Sequence, residues 1–313
     1  MLYFGEYVFD LVSSFSFLHD CRASIFQSHA RYALCKYLNP LWQRLSQGDV
    51  RNNLQGGGEK LIVIVDNRPS ASLRFCVLNS LLMTGFKYRC IVYADGSSGG
   101  EMGALFSDIS DFVEVVDLAC LGVARLDRDI YNKLLKSSHF WSALPATSVL
   151  LTQSDSLLVE PLPDYFFQYD YIGAPWTPNR TFSVSFPHYA PGVLAEYKEI
   201  WKNIVMNADW DPPHTLVGNG GHSIRGVGCM IAISSAEVSA ANEPEDVFYA
   251  KNIQRYSSSL PSVLEAKRFS CETSYSFSFG SHASHLYLEA CYQSEIYERH
   301  IKHVAGLYSA NFA

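Results

Sequence analysis

"TSVLLTQSD", residues 147–155, decides how this chain is read. Val149, Leu150 and Leu151 form a short continuous apolar run, the pattern of a strand buried on both faces of a parallel sheet. The run then stops at one point. Gln153, Ser154, Asp155 and Ser156 follow it, four polar residues in a row before Leu157 and Leu158 resume. A carboxylate at the end of a buried strand needs a partner or a cation. A divalent ion with oxygen ligands suits Asp155, above all if a diphosphate supplies the remaining oxygens. The plainer alternative is an Asp that caps the next turn.

Working outward from that strand, the same pattern recurs. "LIVIV" (61–65) is a second continuous apolar run, followed by the loop "DNRPS". Ser70 or Ser72 can cap the helix that comes next, Leu73, Val77 and Leu81 line one face of it, and Gly85 ends it. "CIVYADG" (90–96) is a strand, and "DFVEVVD" (111–117) is another whose alternation suits a place nearer an edge. "DRDIYNKLLKSSHFWSAL" (127–144) is expected to be one amphipathic helix. Strands alternating with helices predict an α/β fold, a mostly parallel sheet with helices on both faces.

Residues 1–50 look helical with a break at Asn39-Pro40, and "NNLQGGGEK" (52–60) reads as a flexible joint. The expected organisation is an N-terminal helical segment and joint (1–55) followed by a main domain (56–313), itself a nucleotide-binding half (56–160), an acceptor half (161–285) and a C-terminal helix (286–313). In the second half "YDYIGAPW" (169–176) is a short strand entering a loop, a helix is expected near 192–206, "GNGGHSIR" (218–225) is glycine-rich, "GVGCMIAIS" (226–234) is read as a strand, and "EPEDVFYAKNIQRY" (243–256) opens a helix.

The 313 residues are 48% hydrophobic and 18% charged, ample for a buried core, and the net charge of −7 leans away from nucleic acid, whose phosphates demand clustered Lys and Arg. The eight cysteines form no C-x-x-C pair, and their scattered placement reads as free thiols in a reducing, cytoplasmic setting. No run of about eighteen apolar residues suggests a transmembrane helix. The aromatic N-terminus reads as a packed helix, with peripheral membrane contact as the alternative.

Three polar clusters fall at strand carboxyl ends: Asp66-Asn67-Arg68, Asp95-Gly96 and Gln153 to Ser156. Ligands of open α/β sheets bind at that rim, so their coincidence points to a site. Glu245 and Asp246 open a helix, where the dipole alone favours acidic residues; the functional reading is a general base that takes a proton from an attacking hydroxyl. His282 and His285 in "FGSHASH" (279–285) are either structural or a nitrogen ligand beside Asp155. "GNGGHSIR" is not a G-x-G-x-x-G after the first strand and lacks the Lys-Ser/Thr of a P-loop; its glycines say only that the backbone turns tightly or approaches something closely. "DNRPS" carries no glycine fingerprint for a nicotinamide cofactor.

In order along the chain stand "YNKLLKSSHFWSALPATSVLLTQSDSLL", "YDYIGAPW", "GNGGHSIR", "EDVFYA", "RFSCET" and "FGSH". Together these resemble a family catalogued as a domain of unknown function and regarded as glycosyltransferase-like, over roughly residues 60–285. The resemblance implies a GT-A fold and transfer of a sugar from a nucleotide-sugar donor, a UDP- or GDP-sugar, to a hydroxyl of a glycan or glycoprotein. It implies a D-x-D position at which Gln153 takes the first acidic place and Asp155 the last, holding Mn²⁺ or Mg²⁺ with the late His282. It implies Asp246 as the base of an inverting reaction, with Glu245 as its rival. On this reading Asp66, Arg68, Asp95, Gln153 and Ser154 contact the donor. The Asn219, Gly220, Gly221 turn with His222 and Arg225 shapes the sugar pocket, and Tyr171 and Trp176 stack on a sugar face. Gln153 in an acidic place also keeps open a GT-A-like module that binds glycan or nucleotide without catalysis.

Overall fold

The structure is a computed structural model that describes residues 20–54, 59–175, 218–239 and 243–312. The Gly56-Gly57-Gly58 joint, the helix expected near 192–206, and Trp176 lie outside the described residues.

Strands β1 (Lys60–Val65), β2 (Arg89–Ala94), β3 (Val113–Asp117), β4 (Ser148–Thr152), β6 (Tyr171–Ala174) and β7 (Asn219–Gly226) form a six-stranded mixed sheet in the order β3-β2-β1-β4-β7-β6. The pairs β1·β2, β1·β4 and β2·β3 are parallel, whereas β7 runs antiparallel to both neighbours. The alternating β3 is an edge strand, as its pattern predicts. A small second sheet, β5 (Ser156–Leu158), β9 (Gly280–His282) and β8 (Ser270–Cys271), sits at the carboxyl end of β4.

Side chains that alternate along a strand enter two separate cores, which is why the central strands are apolar throughout. Ile62, Ile64 and Leu150 face one core, Leu61, Val63, Val149 and Leu151 the other. The first core is closed by α1 (residues 20–33), α2 (Asn39–Leu45) and α3 (Ala71–Met83), with α4 (Gly99–Leu105) beside them. The second is closed by α5 (Arg128–Leu135), α6 (Ser138–Ser142), α7 (Val227–Ala236) and α8 (Glu245–Asn252). Helices α9 (Val263–Phe269), α10 (Ser284–Tyr287) and α11 (Ala290–Phe312) are the remaining helices among the described residues.

Four expectations change. The stretch 127–144 is two helices: Ser137 is extended and caps α6 by accepting from the His139 amide, so the chain turns there. "GNGGHSIR" is the strand β7, and the apolar "GVGCMIAIS" is the helix α7; a short apolar run does not distinguish the two by periodicity. Asn39-Pro40 does not break the N-terminal helix. A π-turn at Leu34–Leu38 precedes α2, whose first turn takes the proline, where a missing N–H costs little. The residues before the glycine joint are also built into the larger core. Phe26, Leu38 and Trp42 are buried there, Trp42 stacks on Phe86, and His29 Nε2 lies 3.1 Å from His300 Nδ1 of α11.

Candidate functional site

The carboxyl ends of β1 and β4 and the amino end of the antiparallel β7 open into one cleft of about 480 Å³. Asp66, Arg68, Gln153, Asn219, Gly220, Gly221, Glu245, Asp246 and His282 line it, so most residues marked in the sequence meet at one place.

At the end of β4, the small sheet brings distant residues onto Asp155. Ser156 of β5 pairs with His282 of β9, and Ala283, in the left-handed region at φ 46°, donates its amide to the Asp155 carbonyl at 3.2 Å. His282 is held from both sides. Its Nδ1 lies 2.8 Å from Glu272 Oε2, and its Nε2 lies 3.0 Å from Gln153 Oε1 and 3.4 Å from Asp155 Oδ1. Gln153 in turn donates from Nε2 to the Tyr131 hydroxyl at 2.8 Å, which sets the amide's orientation. Burial acts to lower the His282 pKa, but Glu272 and Asp155 outweigh it and raise it well above the usual value. Burial likewise acts to raise Asp155, and the charge and hydrogen bond of His282 carry it down to about 2. Burial raises Glu272 against the opposing pull of His282.

Across the cleft, the start of α8 separates two adjacent carboxylates. Glu245 turns inward to the fully buried Arg225, which it meets with both oxygens at 2.5 and 2.9 Å. The guanidinium also donates to Ser223 Oγ at 3.0 Å and lies over the Tyr171 ring at 4.7 Å. Glu245 is therefore committed to charge compensation, and its amide is capped by Asn132 Oδ1 at 3.0 Å. Asp246 instead faces the cleft. It accepts from the Val247 amide at 2.8 Å and the Gly220 amide at 3.4 Å, and burial followed by the charge of Glu245 pushes its pKa up to about 7. A carboxylate near neutrality is matched to proton abstraction at physiological pH.

The glycines of β7 are explained by close approach, one of the two readings open from the sequence. A Cβ on Gly220 would stand 2.2 Å from Glu245 Oε1, and one on Gly221 would stand 2.2 Å from the His282 ring. Any side chain there would close the space between Asp246 and His282.

Several marked residues lie behind the cleft. Asp95, fully buried, accepts from the Ser97 and Leu126 amides, the Ser97 hydroxyl and the Asn67 side chain, which hold it at about 2. It ties three loop ends together and does not line the cleft. His222 is buried, stacks on Phe269 at 5.3 Å and hydrogen bonds Thr152 at 3.1 Å; burial and the charge of His282 lower it to about 3, so it is a neutral core residue and does not shape the pocket. Arg225 and Tyr171 are likewise buried: Arg225 reaches the site through Glu245 and the Gly220 carbonyl, and Tyr171 packs behind it against the guanidinium. Ser154 hydrogen bonds Asp66 at 2.8 Å, and Asp66 is further occupied by the Arg68 side chain, so Ser154 orients the rim. His285 is buried against Phe26 at 5.3 Å. Residues not singled out from sequence also line the cleft: Tyr131, Asn132, Asp127, Arg128 and Glu272. Glu272 stands inside the quoted "RFSCET" motif, and a carboxylate right after a buried two-residue strand was the signal for it.

The donor set facing Asp155 suits a Mn²⁺- or Mg²⁺-sized cation in kind: a carboxylate, an amide oxygen and an imidazole nitrogen, with the other imidazole nitrogen fixed by a carboxylate as in many metal sites. Among the described residues no three His, Cys, Asp or Glu side chains make such a group, so further oxygens would have to come from a ligand.

These features define an α/β protein with a largely parallel mixed sheet and a polar cleft at its strand ends. The sequence profile of the proteins of unknown function DUF5672 matches residues 124–286, just over half of the chain, and the chain belongs to that family. The match runs from the loop before α5 into α10, and so contains β4, β7, Asp246, Glu272 and His282, but not β1 to β3. No protein of curated function matches the chain. Among the described residues no helix is long and apolar enough to cross a membrane.

Proposed function

We propose that this chain is a GT-A-type glycosyltransferase that moves a sugar from a nucleotide-sugar donor, a UDP- or GDP-sugar, to a hydroxyl of a glycan or glycoprotein, with inversion. The observation that carries the reading is the division of labour at α8: Glu245 is bound by Arg225, while Asp246 faces the cleft with a pKa of about 7, across from Gln153 and His282, and Asp155, which does not itself line the cleft, lies 3.4 Å from His282 Nε2. The architecture supports it too, since parallel βα units come first and the antiparallel β7 with α8 follows.

In the proposed reaction Asp246 takes the acceptor hydroxyl proton. The oxygen attacks the anomeric carbon from the face opposite the diphosphate, the bond to the diphosphate oxygen breaks, and its electron pair leaves with the diphosphate. No covalent intermediate is needed. Asp155, His282 and Gln153 would hold a Mn²⁺ or Mg²⁺ ion, which when bound supplies positive charge for the leaving diphosphate. Glu272 keeps His282 turned toward Asp155, and the bare backbone at Gly220 and Gly221 leaves room for the sugar between the two walls.

The test is transfer by Asp246→Asn against wild type, with the product's anomeric configuration read by NMR. Loss of a general base lowers turnover by about 10²–10⁴-fold while donor binding survives. Full activity of the variant, or retained configuration, overturns this mechanism. A second reading, a cleft that binds nucleotide or glycan without catalysis, is favoured by one observation: Gln153 stands where the D-x-D resemblance puts a carboxylate and is tied to Tyr131 and His282. It predicts ligand binding with no turnover of any donor.

A further inference from the structure

The cleft has an imbalance of charge. Two arginines line it among the described residues, Arg68 and Arg128. Arg68 is already committed: it donates from Nε and Nη2 to Asp66, each at 2.9 Å. Arg128 opens α5 at the mouth of the cleft, is exposed, and has no ion pair or side-chain hydrogen bond to its guanidinium among the described residues. The rest of the polar lining, His282 apart, is neutral or acidic, with Asp127 and Asp246 among the carboxylates. Apart from a bound metal ion, a cation free to turn toward it is the strongest attraction that the lining offers an anionic ligand.

We propose that Arg128 binds the diphosphate of the donor. This rests on the glycosyl-transfer reading and adds to it the position of the anion: near the start of α5, on the Asp66 side of the cleft. A guanidinium presents paired N–H groups that match two phosphate oxygens, which a lysine does not; with those oxygens on the outer phosphate, a nucleoside monophosphate lacks the partner and the site favours diphosphate. The unbound side chain pays no ion pair to release.

The experiment is calorimetric titration of wild type, Arg128→Gln and Arg125→Gln in Mn²⁺ buffer, with UDP, UMP, GDP and GMP as probes. Arg125 is exposed, lies three residues earlier and does not line the cleft. Loss of a charge-assisted contact should weaken the preferred nucleoside diphosphate by about 10- to 100-fold. In Arg128→Gln the preference for diphosphate over monophosphate should collapse, while Arg125→Gln matches wild type. Circular dichroism and melting temperature check that each variant is folded. If wild type binds a diphosphate and Arg128→Gln binds it equally, the assignment of Arg128 is overturned and the donor-binding reading stands. If wild type binds none of the four probes, both are overturned.

Discussion

Replacing Asp246 by Asn should stabilise the protein at about pH 8 while disabling it. The carboxylate is moved from its usual 3.8 to about 7 by burial and by Glu245. At about 1.4 kcal/mol per pKa unit, holding it ionised costs the folded state about 4 kcal/mol. Water in the cleft screens part of that, because Asp246 is only half-buried. Against it stands the lost interaction of a charge with the start of α8, at most about 1 kcal/mol. The Val247 amide keeps an acceptor in the amide oxygen of Asn. A net gain of about 1–3 kcal/mol remains, which raises Tm by about 2 °C per kcal/mol for a chain of this size. The sign follows from linkage. A carboxyl whose folded pKa lies above its unfolded value contributes proton-linked stability that is complete below about pH 4 and is lost as pH rises through about 7. Thermal unfolding of both proteins at about pH 5 and pH 8 should therefore show an advantage of the variant that grows with pH. A variant less stable than wild type by the same amount at both values would refute the reasoning and leave Asp246 as a helix-end charge.

Glu245→Gln, one residue away, should do the opposite. It leaves the Arg225 guanidinium buried without its counter-charge and should cost about 3–5 kcal/mol in urea unfolding; a loss under about 1 kcal/mol would contradict the assigned role. A chain beginning at Glu59 should not fold, since it removes Phe26, Leu38 and Trp42 from the larger core together with the His29 contact to His300; a soluble, cooperatively melting product would show that the core closes without them.

Much of the frame was legible because buried strands and amphipathic helices leave strong local patterns. The apolar runs of β1, β2 and β4, the Ser70 cap of α3 and the edge character of β3 all correspond to structure. The failures have physical causes. Glycines in β7 answer to Glu245 and His282, distant in sequence, so local reasoning made a strand look like a turn and assigned the strand to α7 instead. At the site, Asp155, Asp246 and His282 were legible as polar breaks at element ends. Asp95, His222 and Arg225 share that polarity but spend it on buried partners, a distinction that only the fold reveals. Glu272 and Tyr131 reach the site through the small sheet and through Gln153, pairings with no local signature.

The central claim is that this cleft holds a nucleoside diphosphate beside Asp155, and it is tested most directly by titrating UDP and GDP into wild type and Asp155→Ala, each with Mn²⁺ and with chelator. The account predicts that one nucleotide binds wild type, that Mn²⁺ tightens it, and that the Asp155→Ala variant, still folded, loses the Mn²⁺-dependent gain. Equal affinity in variant and wild type, or no binding of either nucleotide under any condition, would contradict it.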